Sequence, residues 1–570
     1  MARRPASANG GGLRREVGLI PLMFFSLGSI IGSGWLFGSL YAARGAGPAA
    51  VVSWVIAGAG IVLLALVHAE LGGMYPRAGG TARFAHFAFG GLGGFTVGWL
   101  SWIYSVTLAP IETEAALQYA DNYLPWVMHT SDGTAVLSAG GYALAAVLML
   151  LFSFVNALGV RLFAETNAWA VWWKTAVPIL TILVLLATSF HAGNFTAGGG
   201  FAPEGLKGVL SVTASSGVVF ALLGFESAIQ MAGESRDPHR HVPIAVVGSM
   251  IVGVVVYLLL QIAFLGALAP QDVRHGWNAL SFSGEFGPFA GLATGLGLGW
   301  LAVILYIDAV ISPAGTGLVY TGIQSRLLYA MGRDRYLPRR LAELSPRGVP
   351  LLGIIVGFVV GMVIFLPFPG WKQLVGFVTS AAVLMYAPAP VALAVLRRGD
   401  PDRPRPFRLP AASVLAPLAF VMASLLIFWA GWPTVWRLLA AVAIGVVLLG
   451  GWHALRSGAG RPPAEPAEDE RAQSEQAEGG RPPLDWRWSL WLWPYFAGMG
   501  VLSYLGSFEG RGVLPFGWDM AAVAVFALLM FTVAVARPLP GHMTRRYVAA
   551  SESEAPDLLA AATGPVEPPR

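Results

Sequence analysis

The sequence predicts an all-α polytopic membrane protein. It would have about fourteen transmembrane helices, a core of five plus five spans in inverted repeat, and discontinuous helices 1 and 6. Three observations carry this. The chain has 570 residues and is 56% hydrophobic but only 12% charged, against about 25% charged residues in a soluble domain. Apolar runs of bilayer length recur along it, with polar loops between them. Two of those runs, five places apart, are interrupted by glycine in mid-membrane.

The apolar cores lie near 17–41, 48–74, 91–119, 136–158, 166–190, 208–232, 243–268, 296–331, 350–368, 372–396, 411–430, 433–454, 487–507 and 514–536, each long enough for a bilayer that takes about 20 residues. The eighth is too long for one straight crossing, and its start reads as a loop helix near Glu285 to Gly297. Residues 1–16 are basic and Gly/Ala-rich and read as a cytoplasmic tail. The run behind them is too long for a signal peptide and has no clear small-x-small cleavage site. Residues 17–396 form the expected transporter core and 397–454 hold spans 11 and 12. Residues 455–485, rich in Pro, Glu, Ala and Gly, read as a disordered cytoplasmic linker. Residues 486–537 would be an extra pair of spans, opened by Trp486, Trp488, Trp491 and Trp493, a cluster typical of the membrane–water interface. Residues 538–570 would be a cytoplasmic tail, disordered from Ser551 on.

Basic residues fix the expected orientation. Arg14, Arg15, Arg77, Arg83, Arg161, Arg236, Arg240, Arg339, Arg340, Arg397 and Arg398 fall on the N-terminal side. The opposite loops hold only Arg44, Lys207, Arg274, Lys372, Arg437 and Arg511. Both termini would then be cytoplasmic, in a plasma or inner membrane. The net charge of +5 is therefore a topology signal, not a nucleic-acid one, and lipid is the expected surrounding. Zero cysteines exclude disulfides, thiolate metal sites and cysteine catalysis. Histidines form no metal pattern, no Walker motif points to a nucleotide-driven pump, and no catalytic constellation supports an enzyme. No cofactor is expected beyond a proton as coupling ion.

The first interruption, Gly28-Ser-Ile-Ile-Gly-Ser-Gly34, is poor helix material; glycine costs about 1 kcal/mol in a helix interior relative to alanine. Backbone groups freed in hydrocarbon need partners. The half-helix starting near Trp35 would offer N–H groups and a partial positive charge, for which a carboxylate is a suitable guest. The same glycines would also serve simple close packing. The second interruption, Phe220-Ala-Leu-Leu-Gly-Phe-Glu-Ser227, tips the balance. Interrupted helices in corresponding positions of two halves mark a secondary transporter's binding site.

These stretches resemble the amino acid/polyamine/organocation permeases. Gly28 to Gly34 is similar to their first-helix signature, and Ala69-Glu-Leu-Gly-Gly-Met-Tyr-Pro-Arg-Ala-Gly-Gly80 to the motif after their second helix. Phe220 to Ser227, with Glu234 to Pro243, resembles their sixth helix and following loop. Ser325 to Asp334, with Leu337-Pro338, resembles the end of their eighth. The resemblance covers about residues 13–455; Trp35-Leu-Phe37 resembles, more weakly, the bacterial aspartate–proton symporter branch. It implies a LeuT-like fold with substrate between helices 1 and 6. The amides of Ile31, Gly32, Ser33 and Gly34 would hold the substrate carboxylate. Carbonyls around Phe220, Ala221 and Leu223, next to Gly224, would take its ammonium, and Phe220 would be an aromatic gate.

Ionisable residues inside a membrane are costly and usually functional. Lys174 lies roughly 13 Å into the fifth span at 1.5 Å per residue, and lysine, unlike arginine, can lose its proton when buried. It also matches the fifth-helix lysine of proton-coupled members of that superfamily, where the ammonium replaces a sodium ion. A static ion pair is the other reading. Glu226 is the second proton-carrier candidate, or a structural acid. Asp308, near mid-membrane, would pair with Lys174 or face the substrate; Ser312 and Thr316 are candidate hydroxyl partners. Glu112 and Glu114 read as a solvated helix end, or else an entry funnel. Trp102, Tyr104 and Ser105 wall the pocket or pack. The expected function is a proton-coupled amino-acid symporter taking a zwitterionic or amine substrate. An amino-acid/amine antiporter and a nutrient sensor on a transporter scaffold are the alternatives.

Overall fold

The computed structural model describes residues 17–76, 80–131, 134–158, 160–232, 235–280, 287–368, 370–457 and 485–553. The basic start, Arg77, Glu234, Glu285, nearly all of the expected linker and residues 554–570 lie outside them. The chain is a multi-pass helical membrane protein, as its composition requires. The first half runs α1 (Leu19–Ile30), α2 (Gly34–Ala46), α3 (Ala50–Met74), α4 (Gly80–Ala120), α5 (Ala139–Leu158) and α6 (Val160–Thr188). The second runs α7 (Gly205–Ser215), α8 (Val218–Ala221), α9 (Ser227–Gln230), α10 (Pro238–Ala267), α11 (Pro288–Gly295), α12 (Gly299–Arg333), α13 (Leu351–Ile364), α14 (Trp371–Tyr386) and α15 (Pro388–Gly399). Then come α16 (Ala412–Trp429), α17 (Trp432–Ser457), α18 (Leu492–Leu505), α19 (Trp518–Ala536) and α20 (Gly541–Ser553).

Among the described residues, ten helices are long and apolar enough to cross a membrane, fewer than the fourteen expected spans. The first and sixth expected spans are broken, and the ninth and thirteenth are helices of 14 residues each. The first span splits into α1 and α2 around Ile31 to Ser33, where Ile31 leaves the helical region at φ −88°, ψ 88°. The sixth breaks twice. Gly224 takes φ +112°, as expected from the motif, and Gly217 takes φ +91°. The second of these was hidden because Ser215-Ser216-Gly217 lies inside a hydrophobic run. The overlong eighth span resolves into the loop helix α11 and the 35-residue α12.

Close packing relies on small residues, because in lipid there is no hydrophobic force to press helices together. On α3, a Cβ at Gly58 would lie 2.8 Å from Val254, and one at Gly72 would lie 3.0 Å from Val242, both on α10. The two breaks meet in the same way. A Cβ at Gly34 would stand 2.8 Å from the Ala221 backbone, and one at Gly224 would stand 2.8 Å from the Ser29 carbonyl.

Three features were not read from the sequence. Strands β1 (Met128–Ser131) and β2 (Thr134–Leu137) form an antiparallel hairpin, with Met128 opposite Leu137 and His129 opposite Val136. A short helical arm, residues 80–89, precedes the third crossing and is separated from it by Gly90 at φ +77°. The expected C-terminal tail begins with α20, which docks on that arm. Thr544 donates to Phe87 O at 3.2 Å, Arg83 donates to Ser551 Oγ at 2.7 Å, and the His86 and Tyr547 rings lie 4.5 Å apart. Of the four clustered tryptophans, Trp486 is exposed as an interface residue should be. Trp491 is instead buried against Phe89 and Phe420.

Candidate functional site

The break in the first span leaves backbone groups without helical partners, and side chains from three other helices answer them. Lys174 on α6 donates from Nζ to Gly28 O at 2.9 Å and to Thr316 Oγ1 at 2.7 Å. Thr316 passes its own hydrogen to Ser312 O at 3.2 Å. Tyr257 on α10 donates to Ile30 O at 2.9 Å, and Gly32 N reaches the same oxygen at 3.2 Å. At the start of α2, Ser33 N donates to Glu112 Oε2 at 2.9 Å. Gly28 O, Ile30 O and Ser33 N of the interrupted helix are thus each met by a charged or polar side chain, as hydrocarbon surroundings demand.

Glu112 is a correction to the sequence reading. It and Glu114 were expected at a solvated helix end or entry funnel, yet they are 1% and 0% exposed. Nearness to the end of an apolar run does not set exposure; α4 is wrapped by its neighbours along its third-crossing length. The Glu112 carboxylate fills the space that the missing side chain of Gly32 leaves, since a Cβ there would sit 2.6 Å from Glu112 Oε1. Glu114, two residues on, points elsewhere, and neither of its carboxylate oxygens has a hydrogen-bond partner.

The sixth-span break carries Phe220, Ala221, Leu223 and Gly224 to the first. Leu223 N donates to Phe220 O at 3.1 Å, and the Leu222 N–H is directed at the same carbonyl. The Phe220 ring stands edge-on to Trp371 at 6.0 Å, and Trp371 Nε1 donates to Ser33 Oγ at 3.1 Å. Trp371 also stacks on Tyr41 at 5.6 Å. One aromatic cluster therefore touches both breaks. Trp371 was not singled out from the sequence, because an aromatic at the start of a span usually reads as an interface anchor.

Glu226 lies beyond the second break inside a cage of tyrosines. Tyr386 donates to Glu226 Oε2 and Tyr320 to Oε1, the latter at 3.3 Å. Tyr104 is 3.1 Å from the Tyr320 hydroxyl, so it belongs to this polar chain rather than to generic packing. Trp102 instead donates to Gln324 at 3.2 Å. Asp308 is fully buried and accepts from Ser312 Oγ at 2.7 Å. It is close enough to Lys174 for their charges to interact, with no direct ion pair. Its second oxygen has no hydrogen-bond partner, though the indoles of Trp35 and Trp173 lie beside it. His68 packs edge-on against Phe225 and Tyr386 at 5.3 and 5.2 Å.

The arrangement therefore gathers two separate ionisable centres, Lys174 at the first break and Glu226 beyond the second. Residues 17–449 match the model of a family described as amino acid permease. The chain is 40% identical over 531 residues to the glutamate/serine transporter AimA of Bacillus subtilis (strain 168), covering 92% of this chain and 94% of that one. It is 33% identical over 533 residues to the aspartate-proton symporter of Bacillus subtilis (strain 168), with 93% and 98% covered. Over 450 residues it is 27% identical to the branched-chain amino acid permease BcaP of Bacillus subtilis (strain 168), with 76% and 92% covered.

Proposed function

The chain belongs to the amino acid permease family, within the amino acid/polyamine/organocation superfamily, and we propose that it is a secondary active amino-acid transporter coupled to protons by symport. It is a permease, not an enzyme. The observation that carries the reading is the Lys174 ammonium, held between Gly28 O of the broken first span and Thr316 of α12. A proton there keeps the first span fastened to α12; its loss removes the charge and the charge assistance of both hydrogen bonds, which links protonation to the relative position of the two helices. The substrate's α-carboxylate docks on the amides of Ile31, Gly32, Ser33 and Gly34, at the positive end of α2, once Ile31 N and Gly32 N give up their bonds to Leu27 O at 2.9 Å and Ile30 O at 3.2 Å. Its ammonium takes the carbonyls of Phe220, Ala221 and Leu223, with Gly224 bringing that strand of backbone close. Asp308 is assigned to the same site through its nearness to Lys174. The cluster of Phe220 and Trp371 closes over that site from one side, and Glu226 in its tyrosine cage is the second proton-binding group.

The protein works by alternating access in the plasma (inner) membrane, with both termini cytoplasmic, as the arginine-rich loops favour. Small polar and acidic amino acids are the first substrates to try, since a glutamate/serine transporter and an aspartate-proton symporter are relatives that match nearly the whole chain. The test is uptake of labelled L-serine, L-glutamate, L-aspartate and the other standard amino acids into liposomes holding the full chain. Accumulation should follow an imposed inward pH gradient and collapse with a protonophore. Uptake that needs sodium, or an amino acid or amine preloaded inside, regardless of the gradient, would refute proton symport; the preloading requirement would identify the antiporter instead.

A further inference from the structure

The Ser33 amide at the start of α2 already holds a carboxylate, and it is the protein's own. We propose that Glu112 is an internal stand-in for the substrate carboxylate, which must be displaced, and protonated, for an amino acid to dock. This rests on the reading that the first-span amides bind the substrate's carboxylate.

Four observations support it. Glu112 Oε2 accepts the Ser33 amide at 2.9 Å, and Oε1 occupies the space a Gly32 side chain would fill. Glu112 Oε1 has no hydrogen-bond partner, so this carboxylate is only half satisfied by the protein. Ser33 and Glu112 are separated by 79 positions, so the contact is made by the docking of α4 on the break and is not a local cap. The chemistry also matches: a side-chain carboxylate and an α-carboxylate make the same charge-assisted bond to a backbone N–H. Two carboxylates cannot share one N–H, and two negative charges a few ångströms apart repel strongly in low dielectric.

Protonation resolves the conflict. A neutral Glu112 is a weaker acceptor, and it brings no second negative charge when the substrate arrives. One proton taken from water converts the carboxylate to the acid as the substrate binds. The same proton returns to water on the opposite side when the substrate has left and Glu112 re-ionises onto Ser33. Lys174 of α6 faces Glu112; Asp308 of α12 also lies near that ammonium, and Tyr257 of α10 lies near both carboxylates. The substrate's carboxylate therefore inherits the ammonium's attraction when Glu112 gives it up.

The experiment is calorimetric binding of L-serine, L-glutamate and L-aspartate to the full chain in detergent, from about pH 5.5 to about pH 8.5, in buffers of different ionisation enthalpy. Wild-type protein should take up one proton per amino acid bound at the alkaline end, and its affinity should fall as pH rises. Glu112→Gln should bind about tenfold tighter than wild type at the alkaline end, and its proton uptake should disappear. A wild type that binds amino acid with no linked proton overturns the proposal without recourse to any variant. So does a folded Glu112→Gln protein that keeps the wild-type proton uptake. In both cases amino-acid binding persists and the transporter reading stands; if none of the three amino acids binds wild type at any pH, that reading falls together with this one.

Discussion

Lys174 makes two short hydrogen bonds from a fully buried ammonium, so its removal has separable consequences. Lys174→Ala leaves Gly28 O and Thr316 without their donor, a cost of about 1–3 kcal/mol per buried polar group left unsatisfied. In liposomes the variant should lose accumulation driven by a pH gradient while keeping any exchange of amino acid for amino acid. Lys174→Arg should not restore it, because a guanidinium keeps its proton and does not fit a site built for a point charge. Gradient-driven accumulation by Lys174→Ala would remove this residue from the coupling mechanism. Glu226 has a comparable test. Tyr386→Phe and Tyr320→Phe each take away one donor, and each should slow uptake by about tenfold, roughly the effect of losing 1.4 kcal/mol. The paired variant should deviate from additivity by about 0.5–3 kcal/mol in thermal unfolding, since both hydroxyls serve one carboxylate. Strict additivity would show that the cage is not a unit.

The broken spans depend on contacts that tolerate no side chain at two positions. Gly224→Ala would set a Cβ 2.8 Å from the Ser29 carbonyl at φ +112°, both a clash and a left-handed backbone strain. The expected cost is about 1–3 kcal/mol, and uptake should be lost even where the protein still inserts in the membrane. Gly38→Ala is the internal control, because its Cβ would meet Trp54 at an ordinary 3.6 Å. Comparable uptake by Gly224→Ala and Gly38→Ala would show that the approach of the two breaks is not needed. The existence of these breaks was legible from glycine and serine in a hydrophobic run. The additional break at Gly217 was not, nor was the hairpin of β1 and β2. Neither changes hydropathy, and both depend on how flanking segments are held.

Two groups of contacts tie distant parts of the chain together on the N-terminal side. Glu70 of α3 accepts Arg397 Nε at 2.8 Å and the Leu409 amide at 2.6 Å, and Arg405 Nε lies 3.9 Å away. It thereby joins the second span to α15 and the loop that follows. Glu70→Ala leaves Arg397 facing a buried site with no counter-charge, which costs about 3–5 kcal/mol when one partner of a buried pair is removed. The variant should melt earlier in detergent than Arg83→Ala, whose bond to Ser551 is only part-buried; equal melting of the two would contradict this weighting. The second group belongs to the extra spans. Ser489 donates to Phe89 O at 2.9 Å, Tyr547 donates to Asp485, and Arg398 reaches Val535 O at 3.4 Å. The appended pair and α20 therefore grip the arm before the third crossing and the end of α15.

Hydropathy, helix propensity and charge along the chain were enough to show a multi-pass membrane protein with two interrupted helices and a lysine deep inside the fifth span. Those properties act locally or through solvent, and each residue carries them wherever it is placed. The partner of Ser33, the tyrosines around Glu226 and the docking of α20 could not be read in that way. Glu226 meets Tyr386 across 160 positions, and Arg83 meets Ser551 across 468. Which face of a helix meets which neighbour is settled by packing between helices far apart in sequence, and in lipid an acid near the end of a span is soluble or buried according to that packing alone.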